Sequence, residues 1–124
     1  MKVAVLGASA KPERYSYRAI EMLLEYGHEA IPISLSGEAV LGQAGYASLS
    51  EIPESERPVH TVTVYLNPAR FEEVGREVLE IQPSRVIFNP GSESPEWATR
   101  FRDAGIEVLE ACTLVMLGTG QFDS

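Results

Sequence analysis

The residues best suited to bind something lie in one stretch, GASAKPERYSYRAI, from Gly7 to Ile20. An apolar run, Val3-Ala4-Val5-Leu6, leads into it, and Lys2, Lys11, Arg14 and Arg18 surround it. These are four of the ten basic residues of the chain, opposed locally by Glu13 alone. Residues 1–20 therefore carry net +3 and the rest of the chain −11. Gly7 permits a tight turn, Ala8 and Ala10 are small enough for close approach, and Ser9 adds a hydroxyl donor. The backbone N–H groups of the turn and of the helix after it add an anion site to Lys11 and Arg14. The pattern reads as a nucleotide or cofactor site; the plain alternative is a tight turn with a solvated basic loop. Tyr15 and Tyr17 flank the loop, where they can stack on a purine or simply pack on the helix.

Other candidates are weaker. A dinucleotide site places an acid near the end of its second strand to hold a ribose. Here that strand ends Ile33-Ser34-Leu35-Ser36, with Glu29 too early and Glu38 too late. NADP would want a nearby Arg, yet no Lys or Arg occurs between Arg18 and Arg57. Both counts disfavour a nicotinamide cofactor. Asn67-Pro68 and Asn89-Pro90-Gly91 each follow a strand, where Asn caps a turn or meets a ligand. Cys112 follows the last strand, more in keeping with a small buried apolar residue than with a reactive thiol. His28 and His60 precede strands, so a parallel sheet puts them on the edge opposite Cys112. A Cys/His pair, a metal site and a Ser-His-Asp arrangement are all disfavoured, and no G-x-S-x-G elbow is present.

These residues need a scaffold that alternates strand and helix. Strands are expected at 2–6, 29–34, 60–66, 85–88 and 106–109. Helices are expected at 17–26, capped by Ser16 and stopped by Gly27, at 68–81 and at 95–104, with a short one at 113–117. Residues 37–58 are the least regular, with a short strand near Val40-Leu41 and one turn at 48–52. The alternation implies an α/β domain with a parallel sheet covered on both faces. The expected strand order is 3-2-1-4-5, which puts the crevice between the carboxyl ends of strands 1 and 4.

The chain has 124 residues, enough for one domain, read here as 1–124, with a single core. Its net charge of −8 argues against nucleic acid or anionic membrane as partner, while a local basic patch still suits a small anion. One cysteine excludes an intrachain disulfide. No basic-then-apolar leader and no apolar run of about 18 residues is present, so a cytoplasmic protein is expected.

With these residues in view the chain resembles the small stand-alone CoA-binding-domain proteins. These are single Rossmann-like domains related to the CoA-binding domain of the succinyl-CoA synthetase alpha subunit. VLGASAKPERYSYRAI, VTVYLNPARFEEV, RVIFNPGSESPEW and EACTLVMLGTGQF carry the resemblance, in this order and over nearly the whole chain. It implies coenzyme A with its pyrophosphate at Gly7, Ala8, Ser9, Lys11 and Arg14. It further implies contacts at Asn67-Pro68 and Asn89-Pro90-Gly91, with Cys112 matching a cysteine often found after strand 5. Ser34-Leu35 stands where many members have the Asn-Pro that holds the adenosine end. An Arg common just after strand 3 is replaced by Leu66-Asn67. The leading expectation is thus a CoA or acyl-CoA binding module without catalytic machinery of its own. The alternatives are a nucleotide- or NAD(P)-dependent enzyme, a thiol-linked regulator acting through Cys112, and an interaction domain whose sheet edges could support a homodimer.

Overall fold

In the computed structural model, which describes residues 1–123, five parallel strands form one sheet. They are β1 (Lys2–Leu6), β2 (Glu29–Ile33), β3 (Thr61–Val64), β4 (Arg85–Phe88) and β5 (Glu107–Glu110). The helices are α1 (Tyr15–Glu25), α2 (Phe71–Ile81), α3 (Pro95–Asp103) and the short α4 (Thr113–Gly118). The expected α/β architecture is present, with element boundaries mostly within two residues.

The strand order differs from the expected one: it is β2-β1-β3-β4-β5, with β3 between β1 and β4 rather than outside β2. Pro32 supplies the reason. It lies inside β2, level with Val5 of β1. Its carbonyl points away from β1, accepting from Tyr46 N at 3.0 Å. The nitrogen of the same residue faces the same way and has no hydrogen to offer a further strand. β2 must therefore be an edge strand, and β3 pairs on the other side of β1.

The pleat then divides the core into two layers. Ala4, Leu6, Val62, Val64, Val86 and Phe88 face α2 and α3 and pack with Phe71, Val78, Trp97 and Phe101. Leu49 and Ile52, from the expected turn at 48–52, close the same layer. Val3, Val5 and Ile87 face the other way, onto Ile20 and Leu23 of α1 and Met116 and Leu117 of α4. The first layer is aromatic: Phe71 meets Phe88, Trp97 and Phe101 edge-on at 5.5–6.1 Å between ring centroids.

Three local expectations need correction. α1 starts at Tyr15, so Ser16 lies inside the helix and is buried, and Arg14 occupies the cap position without a side-chain cap bond. Val40-Leu41 is not a strand; Val40 and Gln43 close a tight turn over Leu41-Gly42, both at positive φ. The 60–66 strand is shorter, ending at Val64, because Asn67 opens a 3-10 turn over Pro68–Arg70.

At the amino edge, Arg85 is buried and donates through Nε to Thr61 Oγ1 at 3.1 Å and through Nη1 to the Phe122 carbonyl at 2.8 Å. Thr61 Oγ1 lies 2.7 Å from His60 Nδ1. The Thr61 hydroxyl has two lone pairs and one hydrogen, so beside Arg85 it serves either ring tautomer of His60, as acceptor or as donor. Burial, and next the Arg85 charge, hold the His60 pKa below its ordinary value.

Two stability predictions follow from this packing. Gly75 lets Trp97 lie flat on α2: a Cβ there would stand 2.6 Å from three indole ring atoms. Overpacking costs about 1–3 kcal/mol, and an Ala recovers at most about 1 kcal/mol of helix propensity. Gly75→Ala is thus expected to lower stability by up to about 2 kcal/mol in urea titration, net of the two effects. His60 binds its proton more readily unfolded than folded, so its contribution is complete above the unfolded pKa near 6.5 and is lost as pH falls through the folded value. The melting temperature of His60→Gln should fall less between pH 7 and pH 5 than that of the parent.

Candidate functional site

A strand order of 2-1-3-4-5 moves the topological switch to β1 and β3. The chain leaves β1 for α1 on one face of the sheet and leaves β3 for α2 on the other. The two loops diverge and open a crevice at the carboxyl edge. The expected crevice, between strands 1 and 4, is corrected accordingly: the wall opposite Gly7 is Tyr65-Leu66-Asn67, from the loop after β3.

The crevice is a saddle with two lobes. The larger, about 770 Å³, lies on the α2 side and is lined by Ser34, Ser36, Glu38, Arg70, Glu73 and Glu77 among others. The smaller, about 530 Å³, lies on the α1 side and is lined by Ser9, Lys11, Arg14, Tyr15, Pro90 and Gly91 among others. Gly7, Tyr65, Leu66 and Asn67 belong to both lobes and form the ridge between them. At the ridge β1 and β3 touch: a Cβ on Gly7 (φ +81°) would stand 2.8 Å from the Tyr65 carbonyl oxygen.

The first turn is built differently from a simple nest of free amides. Gly7 N and Ala8 N both donate to the Ile33 carbonyl, at 3.0 and 3.1 Å, locking the turn onto the end of β2. Lys11 N donates to Ser9 Oγ at 3.1 Å and Arg14 N to the Lys11 carbonyl at 3.0 Å. The α1 ladder begins only with Arg18 N donating to the Arg14 carbonyl. The N–H groups of Tyr15, Ser16 and Tyr17 thus form the open end of an uncapped helix, and Tyr15 and Ser16 line the lobe that holds Lys11 and Arg14.

The two Asn-Pro sequences have opposite fates. Asn67 stands on the rim of both lobes, and its Oδ1 accepts from Ala69 N at 2.9 Å. Pro68 lies outside the lining, at the start of the 3-10 turn. Asn89 is buried: Nδ2 donates to Thr63 Oγ1 at 2.7 Å and to the Val64 carbonyl at 2.9 Å, and Oδ1 accepts from Thr113 N at 2.8 Å. It braces β3, β4 and α4 beneath the crevice, while Pro90 and Gly91 reach the smaller lobe. Cys112 is half-buried at the start of α4 and lines neither lobe. The Tyr65 hydroxyl is buried beside Thr63 and Thr113, whose hydroxyls already bond each other at 2.7 Å. Burial pushes the Tyr65 phenol above its ordinary pKa, so it stays neutral.

The residues missed in the sequence are Tyr65, Leu66 and the acidic wall of the larger lobe: Glu38, Glu72, Glu73 and Glu77. Glu38 is the informative one. It lies too far past β2 for a direct reach, but the chain doubles back. Ser34 N donates to the Tyr46 carbonyl at 3.1 Å, Ile33 bridges Tyr46, and Gly45 packs against the Glu38 carbonyl so closely that no Cβ fits. The sequence argument that left this site without an acid after strand 2 is therefore corrected. His28 and His60 do precede β2 and β3, on the edge away from the crevice.

Sheet order and crevice together define a single Rossmann-like α/β domain with its opening at the strand-order switch. Residues 1–118 match the CoA binding domain family, and the chain belongs to it. It is 34% identical over 127 residues to the alpha subunit of acetate–CoA ligase [ADP-forming] I from Pyrococcus furiosus, covering 97% of this chain and 27% of that subunit. An uncharacterized protein, YneT of Bacillus subtilis, is 30% identical over 79 residues, or 64% of this chain and 56% of its own length. The chain thus spans about a quarter to just over half the length of these curated relatives. Among solved structures, one of an uncharacterized protein superposes with a TM-score of 0.86 at 39% identity, covering 98% of this chain and 97% of the other. Among the described residues, no helix is long and apolar enough to cross a membrane.

Asn89 gives the prediction for this part of the molecule. Asn89→Ala leaves the buried Thr113 N–H without its partner, at about 1–3 kcal/mol, while Thr63 Oγ1 keeps its bond to the Thr113 hydroxyl. The urea midpoint should fall by a corresponding amount, with the slope unchanged.

Proposed function

We propose that this protein is a binding module for coenzyme A or an acyl-CoA, with the pyrophosphate held on the ridge at Gly7. The observation that carries this reading is the smaller lobe: Lys11, Arg14 and the uncapped N-terminus of α1 converge there without an opposing carboxylate among the lining residues. Family membership supports CoA as the anion's owner. The pantetheine arm would leave through the smaller lobe between Tyr15 and Pro90-Gly91, and the adenosine would lie in the larger one beside Ser34. No turnover is proposed, because the side chains at the crevice offer anion and hydroxyl contacts and both histidines lie at the other end of the sheet. The reaction of the ligase subunit stays with that protein, of which this chain covers only a part.

CoA at about 100 times its Kd should add about 2.7 kcal/mol of stability, a melting shift of about 10 °C for a domain of this size. Lys11→Ala/Arg14→Ala is expected to abolish the shift while leaving the melting temperature of the free protein unchanged, since both side chains are exposed. A flat response to millimolar CoA and acetyl-CoA, or a larger response to NAD(P), would overturn the assignment.

A further inference from the structure

The two lobes have opposite electrostatic character. The smaller presents Lys11 and Arg14 with no carboxylate side chain in its lining. The larger presents Glu38, Glu72, Glu73 and Glu77 against Arg70 alone, a formal excess of three negative charges. These acids come from two separate elements. Glu72, Glu73 and Glu77 project from α2, whereas Glu38 is carried back to the lobe by the returning loop after β2. Glu77 is fixed on the wall, its Oε2 accepting from Ser50 Oγ at 2.8 Å, and Glu72 Oε2 accepts from Trp97 Nε1 at 3.3 Å. A negative wall built in this way favours a ribose hydroxyl, which donates hydrogen bonds to carboxylates, and opposes a phosphate, which brings two more negative charges.

With the pyrophosphate on the ridge and the basic lobe taken by the pantetheine side, the adenosine ribose falls at the end of β2, where nucleotide riboses sit in open α/β sheets. CoA carries a phosphate on that ribose at the 3′ position; 3′-dephospho-CoA carries a free diol. We propose that the larger lobe selects the unphosphorylated ribose, so that this chain binds 3′-dephospho-CoA more tightly than CoA; this rests on the CoA reading above. Glu38 and Glu73 set the preference: both are exposed on the lobe wall, and they act on the ribose substituent while the ridge and basic lobe hold the part common to both ligands.

Isothermal titration of the full chain with CoA and with 3′-dephospho-CoA, at low and at high salt, tests this. Dephospho-CoA should bind about three- to tenfold more tightly at low ionic strength, with the ratio shrinking as salt screens the wall. Glu38→Gln/Glu73→Gln should tighten CoA several-fold and weaken dephospho-CoA, which loses two carboxylate acceptors for its diol, so the ratio falls toward one. CoA binding as tightly as or more tightly than dephospho-CoA, or a ratio that the double variant does not move, would overturn the inference while leaving the CoA reading intact. Binding of neither ligand at millimolar concentration would remove that reading and this inference with it.

Discussion

A single missing hydrogen organises this fold. Pro32 has no amide proton to give to a strand on the outer side of β2, so β2 ends the sheet. β1 then takes β3 as its second neighbour, and right-handed connections require the helices after β1 and β3 to lie on opposite faces. The chain parts at that point, and the crevice is the gap it leaves. Were β2 internal, the loops after β1 and β3 would be separated by a strand, and Gly7 and Tyr65 would not form a common ridge.

The two edges of the sheet divide the work. The amino edge is closed by structural bonds: Arg85 reaches Thr61 and the Phe122 carbonyl and stacks over the Phe122 ring at 4.3 Å. The carboxyl edge is left open. Its polar groups are either spent in bracing, as with Asn89, Thr63 and Thr113, or turned outward, as with Lys11, Arg14 and Asn67. The same dipeptide serves both ends because of its distance from the strand. Asn89 directly follows Phe88 and continues the pleat inward toward Thr63 and α4. Asn67 comes three residues after Val64 and has already reached the rim.

Charge is distributed by the same division. A chain of net charge −8 keeps a basic corner at the start of α1, where the open helix end adds its own positive potential. The neighbouring lobe, on the other side of the ridge, is lined by carboxylates from α2 and the loop after β2. One crevice therefore offers two environments, and a ligand with one anionic and one hydroxylated portion can satisfy both in a single orientation.

Much of this was legible in the residues alone. Alternation of apolar runs with capped helical stretches predicts the α/β class, and Gly7 to Arg14 marks the basic turn, because periodicity, turn chemistry and charge are local properties. Pro32 was legible too: a proline inside a strand points to an edge, and the order 3-2-1-4-5 overlooks it. Other features had no local signal. Glu38 enters the site only because Ser34 and Ile33 pair with Tyr46 and Gly45 packs on its carbonyl, contacts across about ten residues of irregular chain. Glu72, Glu73 and Glu77 look like an ordinary solvated helix face until α2 is laid beside the end of β2. Local chemistry named the basic half of the crevice; the acidic half depended on which strands became neighbours, and that is decided by hydrogen-bond pairing across the whole sheet.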